Sequence, residues 1–153
     1  MKKLSAFLIA IAIIFSFGAC TKNEKKVYKA DPTADALIAG LSFGDTLEKS
    51  TADAAYSLYS IDPTLCVNAA IYVGSGATAD EVAVFNCTDP LAAEYVLESV
   101  NARIDYLREG YSDYGPDQVP KIDSAAVITS GSTVILCVCE NPEDVNDVLE
   151  SVE

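Results

Sequence analysis

The residues with the widest chemical range in this sequence are four cysteines, Cys66, Cys87, Cys137 and Cys139. Thiolates serve as nucleophiles, as redox couples and as soft metal ligands. The sequence contains no histidine, which removes the usual general base near neutral pH and the commonest metal ligand. Ser–His–Asp and Cys–His arrangements are therefore impossible, and only all-cysteine or cysteine–carboxylate zinc sites remain. In Cys137-Val138-Cys139 a single residue separates the cysteines, whereas zinc knuckles and thioredoxin-like motifs use two. On a strand these sulfurs share a face, yet residues two apart lie too far for an unstrained bridge. The simplest reading is four buried thiols acting as small hydrophobes. A disulfide from Cys137 or Cys139 across the sheet to Cys87 or Cys66 is the second, and metal or redox chemistry the third.

The carboxylates invite a calcium reading. Asp105, Glu109, Asp113 and Asp117 recur at every fourth position, and Glu143, Asp144 and Asp147 cluster near the end. No Asp-x-Asp-x-Asp-Gly loop with a distal glutamate accompanies them, so the EF-hand pattern fails. Asp105 and Glu109, with Arg108 interleaved, read as the wet face of a helix. Gly74-Ser75-Gly76 lacks the Gly-Lys-Ser/Thr of a phosphate loop. Thr78 and Glu81 have capping-box spacing, but the following Val82-Ala83-Val84-Phe85 reads as strand. No catalytic residue, metal ligand or cofactor-binding residue is assigned, and no cofactor is expected.

A fifth cysteine, Cys20, carries a sharper signal. Lys2 and Lys3 precede an apolar run, residues 4–19, that ends in Phe17-Gly18-Ala19. The run is short for a membrane span, which needs about 20 apolar residues. It matches a signal peptide, with a basic start, an apolar middle and small residues before a cut. Phe17-Gly18-Ala19-Cys20 resembles the lipobox of bacterial lipoproteins, with Phe17 where leucine is usual. Cys20 is thus the expected lipid-attachment residue. Each buried acyl methylene contributes about 0.8 kcal/mol, so two or three chains hold a protein stably. The expected location is the outer face of the cytoplasmic membrane, with the membrane itself as partner through Cys20.

All 23 acidic residues lie after Cys20. Lys22, Lys25, Lys26 and Lys29 crowd the next few positions, and beyond them only Lys49, Arg103, Arg108 and Lys121 are basic. The globular part is therefore strongly acidic, which excludes nucleic-acid binding as the expected role, since phosphate contacts need a basic face. The organisation read from this is a signal peptide (1–19), a lysine-rich stalk (20–30) acting as a solvated tether, and one domain (31–153).

Asp31-Pro32, Asp89-Pro90 and Asn141-Pro142 each set a capping side chain before a proline and mark helix starts. Ala34, Leu37, Ile38 and Leu41 recur at helical spacing after the first. Val96, Val100, Leu107 and Tyr111 stripe a long helix after the second, with Gly110 as its stop. Val145, Val148, Leu149 and Val152 follow the third, and a short helix is predicted over residues 52–58. Strands are predicted over 65–73, with Leu65, Val67, Ala69, Ile71 and Val73 on one face, and over 82–87. Residues 125–129 and 133–139 form a hairpin around Ser130-Gly131-Ser132, the last strand being apolar on both faces and hence central. The fold class is α+β: a two-layer sandwich with a roughly four-stranded antiparallel sheet and helices on one face.

The segment AAIYVGSGATADEVAVFNCTD, the long helix after it, and YSDYGPDQVPKID before a hairpin resemble the domain of unknown function 4358. The clearest motifs are the strand Glu81–Phe85 and the Tyr114-x-Pro116 turn with Gln118 and Lys121. Gln118 stands where a glutamate is expected, and the four domain cysteines are not part of the pattern. The resemblance implies an exported lipoprotein of the kind found in Gram-positive bacteria, and it brings no activity with it. Physically, Pro116 suits a helix start, with Tyr114 packed under it. The expected role is a non-enzymatic binding or envelope-interaction module whose partner is an envelope protein or glycan. The alternative is a hydrolase acting on cell-wall or surface glycan with two carboxylates roughly 5–10 Å apart.

Overall fold

The computed structural model describes residues 25–152. The expected signal peptide and the expected lipid-attachment residue Cys20 lie outside the described residues. Ten helices and strands follow in order: α1 (Ala30–Gly40), β1 (Glu48–Ser50), α2 (Ala52–Tyr59), β2 (Cys66–Val73), β3 (Glu81–Cys87), α3 (Pro90–Tyr114), α4 (Val119–Asp123), β4 (Ala126–Ser130), β5 (Thr133–Val138) and α5 (Val145–Ser151). The strands form one antiparallel sheet in the order β1-β2-β3-β5-β4. Among the described residues no helix is long and apolar enough to cross a membrane.

The α+β class and the antiparallel sheet stand, and two particulars of the expectation are corrected. The sheet has five strands, because the short polar segment Glu48–Ser50 adds an edge to β2. Helices cover both faces of the sheet. Side chains alternate along a strand, so a strand apolar throughout needs cover on both sides. Ala83, Phe85, Val134 and Leu136 face α2, α3 and α4. Their neighbours Val82, Val84, Ile135 and Cys137 face α1 and α5. Every one of these residues is buried, so β3 and β5 form the centre of a helix–sheet–helix sandwich.

The local helix-start signals hold at α2 and α3 and fail at α1 and Asn141. Asp89 caps α3, accepting from Ala92 N at 2.9 Å, and Thr51 caps α2, accepting from Ala54 N at 3.1 Å. Asp31 does not cap α1. That helix starts at Ala30, with Lys29 at the cap position and no side-chain bond there. Asn141 precedes a single 3₁₀ turn, and its Oδ1 accepts from Ser42 N at 2.9 Å instead. Helix α3 runs past Gly110 to Tyr114, since glycine inside a packed helix costs only about 1 kcal/mol and does not end it. Gly131 turns the β4–β5 hairpin at φ +59°, a conformation that favours glycine.

The expected alternation on β2 fails at its start. The register slips between Cys66 and Asn68, a bulge that leaves Val67 71% exposed while Ala69 and Ile71 face the core. Ahead of α1, Asn86 Nδ2 donates to Tyr28 O, and its Oδ1 accepts from Ala30 N at 2.7 Å. Residues 26–29 are thereby held along the hairpin end of the sheet, where Ser130 Oγ donates to Lys26 O at 2.5 Å.

Candidate functional site

Two buried acids stand at the start of β3, Glu81 as its first residue and Asp80 just before it. Each takes a different basic partner. Glu81 lies in register between Val73 and Val138 and points toward α3, its side chain 4% exposed. Arg103, in the middle of α3, meets it with two bonds: Nη2 donates to Oε2 at 2.6 Å and Nε to Oε1 at 3.2 Å. The Tyr59 hydroxyl, from the end of α2, also donates to Oε1. Its ring rests edge-on against Phe85, centroids 5.0 Å apart. Burial and the neighbouring Glu81 charge push the Tyr59 hydroxyl well above its ordinary value. Burial alone would weaken the Arg103 charge, but the bonds to Glu81 outweigh it and raise the guanidinium further.

Asp80 joins the loop after α1 to α4. Its side chain is 0% exposed. Oδ2 accepts from Gly44 N at 2.8 Å and from Thr78 Oγ1 at 2.7 Å, and Oδ1 accepts from Lys121 Nζ at 2.9 Å. Lys121 also meets Glu140 Oε1 at 2.5 Å. Between strands β2 and β3 the connecting loop is held from α3 and the segment after it. Tyr111 OH donates to Gly76 O at 3.0 Å and to Thr78 O, and Gln118 Oε1 accepts from Ala79 N at 3.2 Å.

Beside the Arg103–Glu81 pair, α2 and α3 diverge to leave a cleft of about 490 Å³. Arg103 and Tyr59 form its inner end, Ser57, Ser60 and Ser99 supply hydroxyls, and Leu58 and Tyr106 form its outer walls. The Tyr106 ring is 68% exposed, with the Arg103 guanidinium 5.4 Å from its centre. A second hollow of about 200 Å³ continues past Leu58 and Arg103 to Tyr111, beneath the β2–β3 loop. An aromatic wall, a ring of hydroxyls and a fixed cation at the inner end are the parts of a binding pocket. The two buried acids are each paired with a cation, Glu81 with Arg103 and Asp80 with Lys121.

The residues singled out by sequence fall in scattered places. Asp105, Glu109 and Asp113 line the exposed side of α3, Asp105 pairing with Arg108 at 2.6 Å. Asp117 is exposed in the turn before α4, and Glu143, Asp144 and Asp147 are exposed around the start of α5. Among the described residues no group of three or more carboxylates or cysteines could hold a metal ion. All four domain cysteines are thiols. Cys137 and Cys139 sit together on the α1–α5 face, whereas Cys87 lies on the other face, opposite Cys66. The pairing of Cys87 with either is therefore ruled out in this fold by the sheet between them. Tyr114 is exposed and leans on Tyr111, ring centres 4.8 Å apart, rather than packing under Pro116. Lys121 and Gln118 take the roles just described, and Thr78 and Glu81 form no capping box.

Sequence reading passed over Tyr59, Asp80 and the pairing of Glu81 with Arg103. A signal was present, because Arg103 interrupts the buried stripe Val96, Val100, Leu107 and Tyr111 at helical spacing. A charge on a buried stripe calls for a partner.

No curated protein and no solved structure matches the chain. A family model described as Domain of unknown function (DUF4358) matches residues 41–139, the stretch that runs from the end of α1 through the Glu81–Arg103 and Asp80–Lys121 pairs to Cys139, and the chain belongs to that family.

Proposed function

We propose that this protein is a lipid-anchored extracytoplasmic binding module, held at the membrane through Cys20, whose α2–α3 cleft takes a sugar unit of an envelope glycan. The cleft carries the reading. Tyr106 presents an open ring face, and sugars stack their apolar faces on such rings. Ser57, Ser60 and Ser99 are short donors and acceptors suited to hydroxyl groups. Strong net negative charge disfavours polyanionic ligands, leaving neutral glycan as the better match. The commitment of Asp80 to Lys121 and of Glu81 to Arg103 supports binding without turnover.

Two experiments test this. Labelled fatty acid should enter the wild-type chain and not Cys20→Ala, and equal labelling of both removes the anchor. Titration of the purified protein with soluble peptidoglycan fragments and neutral polysaccharide should shift the NMR signals of Tyr106 and the Arg103 side chain. Release of new reducing ends would establish a hydrolase instead, and shifts produced only by an envelope protein would replace the glycan.

A further inference from the structure

Cys66 opens β2 and Cys87 closes β3, and the two are direct partners in the antiparallel ladder. The surrounding hydrogen bonds settle the type of pair. The Cys87 amide donates away from β2, to Ser132 O at 2.7 Å, while Thr88 N donates to Leu65 O at 2.9 Å. Cys66 and Cys87 therefore face each other at a non-hydrogen-bonded position. There, opposed Cα atoms lie about 4.5 Å apart and side chains come closest, within the span of about 4.4–6.8 Å that a disulfide accepts.

The bulge makes this meeting possible. Strict alternation would send Cys66 to the face of Ala70, toward α1 and α5. The extra residue at Val67 reverses the parity, so Cys66 joins Cys87, Ala69 and Ile71 on the α2–α3 side. The neighbouring Cys87 thiol holds Cys66 below its ordinary value, and Cys66 together with burial pushes Cys87 far above it. Cys66 is also the more exposed of the two, so it is the thiol that an oxidant meets first. Cys137 and Cys139 show the same split, Cys139 lowered and Cys137 raised, but differ in geometry. They are neighbours along one stretch of chain, lie on the opposite face, and are buried.

We infer that Cys66 and Cys87 are a redox pair that closes to a disulfide when the protein meets a disulfide-bearing oxidant, while Cys137 and Cys139 remain thiols. Cys66 loses its proton to water and its sulfur attacks one sulfur of the oxidant. That step forms a mixed disulfide and expels the oxidant's other half as a thiolate, which is then protonated. Cys87 next loses its proton and attacks Cys66 Sγ, releasing the remaining half as a second thiol. Two protein thiols are oxidised, and the oxidant takes up two electrons and two protons. The bridge ties β2 to β3 beside the bulge.

The test uses the full chain incubated with oxidised glutathione. Free thiols are blocked in denaturant, and the chain is cleaved without reductant on the carboxyl side of glutamate, which separates Cys66 from Cys87 at Glu81. The expected product is the Cys66 and Cys87 peptides joined and lighter by two hydrogens, with Cys137 and Cys139 carrying the blocking group. In Cys87→Ser the reaction should stop with glutathione on Cys66, and in Cys66→Ser Cys87 should stay unmodified. Free Cys66 and Cys87, glutathione retained on wild-type Cys66, or a link to Cys137 or Cys139 would each overturn the inference. If either variant fails to fold, the wild-type map decides alone, and a higher melting temperature of the oxidised chain is its second expected reading.

Discussion

Arg103 and Glu81 stand 22 residues apart in the chain and meet through two hydrogen bonds, the shorter 2.6 Å, with side chains 11% and 4% exposed. Removing one member of such a pair strands a buried charge, while replacing both with apolar groups is often close to neutral. Arg103→Met should therefore cost about 3–5 kcal/mol, and the double variant Glu81→Leu with Arg103→Met should recover most of that loss. Urea midpoints at constant slope measure both. Additive losses would show that the pair is not an energetic unit.

Asp89 holds the first turn of α3. Asp89→Ala should lower stability by about 1 kcal/mol, the usual value of a lost cap. Asp31→Ala should change it far less, because Asp31 makes no cap and its partner Lys49 is a surface contact. Equal losses in thermal unfolding would mean that α1 begins differently.

Lys49 bridges Asp31 at 2.9 Å and Asp35 at 3.2 Å. Its hydrogen bond holds Asp31 below the ordinary value of 3.8, and the Tyr72 hydroxyl does the same for Asp35, aided by Lys49. A carboxyl depressed by folding contributes stability above its unfolded value and loses it as pH falls through its folded value. Wild type and Lys49→Met should thus differ in urea midpoint at neutral pH and converge below the carboxylate range. A gap that stays constant down to strong acid would remove the assignment.

The β2 bulge predicts a sharp contrast within one strand. Val67→Ala should shift stability by less than about 0.5 kcal/mol, as at other exposed sites. Ile71→Ala, at a position 1% exposed, should cost about 2–5 kcal/mol. Similar losses from the two would mean that Val67 faces the core and that the register is unbroken.

Tyr106→Ala separates binding from folding. The ring lies mostly in solvent, so the melting temperature should stay within a degree or two of wild type. Glycan-induced shifts at Arg103 should weaken at least several-fold. Unchanged titration curves would place the ligand elsewhere.

Much of the fold was legible because its signals are local. A proline behind Asp89, β-branched runs at β3 and β5, and Gly131 in a two-residue turn each act through backbone conformations a few bonds away. Helix α3 could be read from its apolar spacing, though not its end, because packing of Tyr111 against the β2–β3 loop carries it past Gly110. The burial of β5 on both faces was legible too, and it already required the second helical layer that the expected architecture left out.

What the amino-acid order determined alone is the character of each segment: an acidic domain without histidine, apolar central strands, and a cysteine after a short apolar run. Only the tertiary structure decided which charges are buried and with whom. Glu81 finds Arg103, and Asp80 finds Lys121 some 41 residues away, because α3 and α4, which carry the two bases, follow β3 in the chain and pack back beside its start. The same holds for Cys66, whose side of the sheet depends on one bulged residue. Local propensity carries no record of such parity, since it arises only when two strands come into register and every side chain must take one face or the other.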